Sequence, residues 1–83
     1  MTFRVEFADL AAERFKKIPQ KVQDQVARKL RQVAENPRRH LVRIMGVDAF
    51  RVRVGDYRVI LDVKWPEEIL HILTIGHRSK VYR

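Results

Sequence analysis

From Thr2 to Phe7 apolar and polar residues alternate, with Phe3, Val5 and Phe7 on one side and Arg4 and Glu6 on the other. This is the period-two pattern of a strand. Ala8-Asp9 ends it, and Asp9 can cap a helix running through Ile18, in which Ala11, Phe15 and Ile18 fall at i, i+4 and i+7 and share a face. Pro19 is tolerated in the first turn of a second helix, where Val22, Val26, Leu30 and Val33 recur every three or four residues as one apolar stripe. Asn36-Pro37 ends that helix. Its other face, with Lys21, Asp24, Arg28, Lys29, Arg31 and Glu35, reads as solvated surface.

Beyond Arg39 the period changes to two and stays there. A short strand is expected from His40 to Ile44, closed by Met45-Gly46-Val47-Asp48, and a second from Ala49 to Val54. Gly55-Asp56 is a two-residue turn signal with glycine first, suited to a type II′ hairpin into a strand over Tyr57–Val63. Lys64-Trp65-Pro66-Glu67-Glu68 turns the chain again. Ile69 to Ile75 is apolar on both faces, as expected of a strand covered on both sides. One strand, two helices and an antiparallel meander define an α+β fold over residues 1–83, a single domain with its helices packed on one face of the sheet.

Composition sharpens this picture. At 83 residues the core is thin, because a chain of this size buries only about 60% of its unfolded surface. Any site should be shallow, and a cavity for a large cofactor is not expected. With 46% hydrophobic residues the chain is no disordered basic tail. There is no cysteine, which excludes disulfides, Cys-ligated zinc, iron–sulfur clusters and thiol nucleophiles. No stretch has the length of a signal peptide's apolar region or of a membrane span, so a cytoplasmic location is expected.

The net charge of +8 points to a polyanionic partner, since Lys and Arg gain affinity by releasing counterions from phosphates. The kind of cation changes along the chain: residues 38–83 hold eight Arg and only two Lys. Arg's planar fork suits bidentate phosphate contacts better than a Lys point charge.

Counting outward from a Gly55-Asp56 loop pairs Val54 with Tyr57, Arg53 with Arg58, Val52 with Val59 and Arg51 with Ile60. Arg53 then faces Arg58 directly, with Arg51 two residues along on the same side. Like charges opposed on a sheet are destabilising unless something compensates. A bound phosphate would do so; so, more ordinarily, would solvent or pairing with an acid such as Asp62 on the same face. The C-terminal run Gly76-His77-Arg78-Ser79-Lys80-Val81-Tyr82-Arg83 adds an imidazole, further cations, a hydroxyl and a phenol. Those groups matter chemically only where the segment lies beside Arg53 and Arg58. His40, His71 and His77 lack metal-ligand spacing, and His71, set among apolar neighbours, reads as structural. No metal or other cofactor is expected.

The run Phe50-Arg51-Val52-Arg53-Val54-Gly55-Asp56-Tyr57-Arg58-Val59-Ile60, with the ending Ile75-Gly76-His77-Arg78-Ser79-Lys80-Val81-Tyr82, resembles the RelE/ParE superfamily of toxins. The terminal Arg and Tyr favour its RelE branch. The resemblance implies the toxin of a type II toxin–antitoxin system: a metal-independent endoribonuclease that enters the A site of the small ribosomal subunit, contacts ribosomal RNA and cuts mRNA. It also implies a cognate RelB-like antitoxin, acidic and partly disordered, and no membrane partner. By position, Arg58 and Arg78 match the family's phosphate-binding and catalytic arginines and Tyr82 its functional tyrosine. Arg51 and Arg53 stand where the best-known branch has lysines, and an arginine, unlike a lysine, stays protonated.

Cleavage of RNA by its own 2′-OH needs removal of the 2′ proton, stabilisation of negative charge on the phosphorane and protonation of the departing 5′-oxygen. Arg53, Arg58 and Arg78 can supply the charge stabilisation, usually the largest contribution. Tyr82 ranks first for proton exchange because it lies on the family motif; it can also stack on a base. His77 is a second titrating group, and with Arg51 and Lys80 it is expected to contact substrate phosphate. Two other functions compete with the RelE-like one: a ParE-like inhibitor of gyrase without a catalytic step, and a non-catalytic nucleic-acid-binding module.

Overall fold

A computed structural model describes residues 2–79. The alternating N-terminal segment forms β1 (Arg4–Phe7), followed by helices α1 (Asp9–Lys17), α2 (Gln20–Glu35) and a single turn, α3 (Pro37–His40). The remainder is strand: β2 (Val42–Arg43), β3 (Phe50–Val54), β4 (Tyr57–Lys64) and β5 (Ile69–His77). The five strands form one mixed sheet in the order β1-β5-β4-β3-β2. β1 returns to lie parallel to β5, and every other neighbouring pair is antiparallel.

The apolar stripes read from the sequence meet as one core. Ala11 of α1 and Val26, Leu30, Val33 and Ala34 of α2 pack on Val52, Val59, Leu61, Leu70, Ile72 and Ile75 of the sheet, all buried. At ~1.5–3 kcal/mol for each large apolar side chain removed from water, this layer is the main force pinning α2 across the sheet.

Two local expectations are corrected. Asp9 does not cap α1. Ala8 holds the N-cap position, in extended conformation (φ −66°, ψ 157°), and no side chain bonds the first turn. The reason lies in β1, which ends with the Ala8 N–H donating to the Ile72 carbonyl at 2.9 Å and so starts the helix one residue early. Asp9 still places a negative charge in the first turn, where the helix dipole favours it. The strand expected over His40–Ile44 is shorter, because Pro37, pre-set for a helical φ, first drives the turn of α3. Only Val42 and Arg43 then pair, against Arg51 and Phe50.

β5 explains its own two-sided apolarity. Ile60 pairs with Thr74 and Leu61 with Ile72, so Leu73 is an extra residue bulged out of the ladder. The bulge lets Ile72 and Ile75, three apart, both face the helices, while Leu73 turns to the other side. There it packs with Ile44, Ala49 and Ile60 in a small second cluster.

Candidate active site

The hairpin forms in the register set by its loop: Arg51↔Ile60, Val52↔Val59, Arg53↔Arg58 and Val54↔Tyr57. Gly55 has φ +58° while Asp56 does not share a positive φ, as a type II′ turn requires. Val52, Val54 and Val59 point to the helices and are buried. Arg51, Arg53 and Arg58 therefore share the opposite face. Arg53 donates from Nε to the Gly55 carbonyl at 3.2 Å, closing the loop from its own strand.

β2 is only two residues long, so β3 is covered by a neighbour at Phe50 and Arg51 and is open from Val52 onward. At this open edge lies a cleft of about 310 Å³, lined by Lys29, His40, Val42, Arg51, Arg53 and Arg58 together with Val52. Lys29 reaches it from α2, His40 from the end of α3, and the arginines from β3 and β4. Among the described residues no carboxylate lines it. The Nη1 of Arg58 is buried and has no hydrogen-bond partner among the described residues. An unpaired buried N–H costs about 1–3 kcal/mol, and more when charged. It is thus a donor held ready for an acceptor that these residues do not supply.

Asp62 does not fill that role. It stands beyond Ile60 on the same face of β4 as Arg58, but its Oδ1 accepts from the Val63 N–H at 2.8 Å. The ion pairs seen among the described residues, Arg4–Glu6 at 3.0 Å and Arg43–Asp48 at 3.1 Å, include none of the residues that line the cleft. Among the described residues, therefore, the arginine face is not a set of paired surface charges.

The C-terminal residues divide. Gly76 pairs with Arg58 across β4 and β5. Arg78 follows it and is tied to the hairpin, its N–H donating to the Asp56 carbonyl at 2.7 Å. Its backbone is thereby held at the end of the sheet that carries Arg53 and Arg58. His77 pairs with Tyr57 and so belongs to the helix-side face. Its ring meets the Tyr57 ring edge-on at 5.6 Å, and its Nδ1 lies 3.0 Å from the Ser79 Oγ. The structure does not bring His77 to the arginine cleft. Lys80 and Tyr82 lie outside the described residues.

Two cleft residues are hard to find from the sequence. Lys29 looks like any cation on the wet side of α2, and its place over the β3 edge is set by how α2 crosses the sheet. His40 reads there as the first residue of a strand, without the spacing of a metal ligand. The period-two alternation around it is the one signal available: His40 and Val42 line the arginine cleft, while Leu41 and Arg43 line a second hollow with Arg38, Phe50 and Trp65. In that hollow the Arg38 guanidinium stacks 4.4 Å from the Trp65 ring centre.

A strand, two helices and an antiparallel run of strands is the architecture of small toxins solved alone and with their antitoxins. The toxin–antitoxin complex RelBE2 of Mycobacterium tuberculosis superposes with a TM-score of 0.83 at 22% identity, covering 94% of this chain and 100% of that one. The isolated Escherichia coli RelE toxin gives 0.78 at 26% identity, over 96% of this chain and 90% of that one. A RelE-like toxin protein of Escherichia coli is 24% identical over 83 residues, 96% of this chain and 87% of its own length. The family described as "ParE toxin of type II toxin-antitoxin system, parDE" matches residues 5–82, and the chain belongs to this family, within the RelE/ParE toxin superfamily.

Proposed function

We infer that this toxin is a ribosome-dependent endoribonuclease that cleaves mRNA in the A site through attack of the RNA's own 2′-OH. The observation that carries this reading is the buried, unpartnered Arg58 Nη1 in a cleft walled by Arg51, Arg53 and Lys29, with no carboxylate among its described lining residues. Such a cleft takes a phosphodiester. Donors fixed in place before the reaction stabilise charge as it develops on the phosphorane, without reorganising at that moment. Arg58 and Arg53 serve the non-bridging oxygens, Arg51 the flanking phosphate, and Arg78, held at the hairpin through its backbone, joins them from the end of β5. Tyr82 and Lys80 follow Arg78 closely enough in the chain to complete the site, Tyr82 as proton donor or base-stacking ring and Lys80 as a further phosphate contact. Attack and departure are then served by proton transfer and fixed positive charge, and the mechanism requires no metal.

The solved relatives include a RelE–RelB complex from Pyrococcus horikoshii, 24% identical with a TM-score of 0.80. For this chain the corresponding partner is an acidic, partly disordered antitoxin. An apolar groove between β1, α1 and α2, floored by Val5, Phe15 and Leu30 and flanked by Lys16 and Arg31, suits an amphipathic acidic segment. Phe7, 36% exposed, lines the same groove.

The test is primer extension on mRNA bound to programmed ribosomes. Wild-type protein is expected to generate new 5′ ends within the A-site codon, and Arg58→Ala or Arg78→Ala to lower the rate by about 10²–10³-fold each. Unchanged cleavage by the folded double variant would remove the site assignment. The family's ParE description supports one second reading, inhibition of gyrase. Under it the protein blocks supercoiling and leaves ribosome-bound mRNA intact.

A further inference from the structure

Arginine cannot accept a proton at physiological pH, so a cleft whose cations include Arg51, Arg53 and Arg58 needs some other group to activate the 2′-OH. Among the described residues that line it, two side chains carry a nitrogen that can take up a proton, the Lys29 amine and the His40 imidazole, and an ordinary imidazole, unlike an ordinary ammonium, has a lone pair free to accept one at physiological pH. His40 is half-buried at the C-terminal end of α3, and no hydrogen bond to its ring is seen among the described residues. His77, by contrast, faces the helix side and has its Nδ1 engaged by Ser79.

We propose that His40 is the proton acceptor for the attacking 2′-OH at this arginine cleft, an assignment that rests on the endoribonuclease reading above. The neutral imidazole takes the 2′ proton as the 2′-oxygen bonds to phosphorus. The P–O5′ bond breaks, its electron pair leaves with the 5′-oxygen, and that oxygen takes a proton from solvent. The products are a 2′,3′-cyclic phosphate and a 5′-hydroxyl. The imidazolium returns its proton to water once the product has gone, so atoms and charge balance without a further reactant.

With both basic positions on β3 occupied by arginines, charge stabilisation and proton transfer are divided between the sheet and the α3 turn. The charged groups that share the cleft with His40 are all cationic: Lys29 from α2, Arg51 and Arg53 from β3, and Arg58 from β4. They bind the phosphate whatever the state of the imidazole, so binding and proton transfer can be separated by experiment.

The experiment compares wild type, His40→Gln and His40→Ala in single-turnover cleavage of mRNA on programmed ribosomes, from about pH 5 to pH 8. Ribosome affinity and thermal unfolding are measured on the same samples. The wild-type rate is expected to rise with pH, and His40→Gln is expected to bind ribosomes within about twofold of wild type, to cleave about 10²–10⁴-fold more slowly, and to lose that rise. Free imidazole is expected to restore part of the activity of His40→Ala. A His40→Gln protein that cleaves at the wild-type rate with the wild-type pH profile overturns the assignment while leaving the endoribonuclease reading intact. A wild type that binds ribosomes and leaves mRNA whole overturns both. If both variants unfold, reactivity of His40 in the folded wild type toward diethyl pyrocarbonate decides: acylation of that ring must abolish cleavage and must be blocked by bound RNA, and modification without loss of cleavage overturns the proposal.

Discussion

Arg53 and Arg58 stand opposite each other across β3 and β4, and neither is ion-paired among the described residues. Opposed like charges on neighbouring strands cost on the order of 0.2–1 kcal/mol, so this pair is a local loss of stability on the face of the sheet away from the helices. Replacing Arg53 by Thr, a good strand former, removes the repulsion without creating a cavity. Arg53→Thr is therefore expected to be more stable than wild type by about 0.2–1 kcal/mol in denaturant unfolding, and to cleave more slowly. A loss of stability would mean that the Arg53 bond to the Gly55 carbonyl outweighs the repulsion. At this scale the opposed arginines are legible in the sequence, because a two-residue loop fixes every pair beyond it by counting. Arg58's buried Nη1 is not. Its isolation goes with a short β2 and with Asp62 turning to its own backbone neighbour, and neither can be counted off the sequence.

The hairpin that carries the arginines depends on its turn. Gly55 adopts φ +58°, and a Cβ built there meets no atom within 4 Å. The cost of a side chain at this position is thus conformational rather than steric, about 1–2 kcal/mol for an ordinary L-residue. Gly55→Val is expected to lower stability by at least that amount, and Gly55→Asn by less, since asparagine tolerates positive φ better. Equal losses in thermal unfolding would show that the turn does not set the stability of the hairpin. Strands with clear alternation and helices with a stripe several turns long are readable as elements. The single turn of α3 is not, for four residues hold no periodicity, and Pro37 serves equally as the stop of one helix and the start of another. The same ambiguity hides His40, which as part of a strand has no reason to meet α2, but at the end of a helical turn shares a cleft with Lys29.

The net charge of +8 belongs to the whole molecule, and its distribution decides what it does. Long-range attraction to RNA depends on the total, whereas charge stabilisation in a cleft depends on place. Two charge-matched variants separate these contributions. Lys17→Gln/Lys21→Gln removes two cations from the exposed surface of the helices, and Arg51→Gln/Arg53→Gln removes two from the cleft; each lowers the formal charge by the same amount. Both are expected to bind ribosomes less tightly and with a shallower salt dependence, because each phosphate no longer neutralised lowers the slope of log affinity against log salt by about 0.7 to 0.9. Only the arginine pair is expected to slow cleavage by ribosome-bound toxin, by about 10²-fold or more, since fixed donors at the reacting phosphate act after binding is complete. Single-turnover rates at saturating ribosomes provide the measurement. Equal rates for the two variants would mean that the arginine edge only docks on RNA, and the catalytic centre would then have to be sought elsewhere on the molecule.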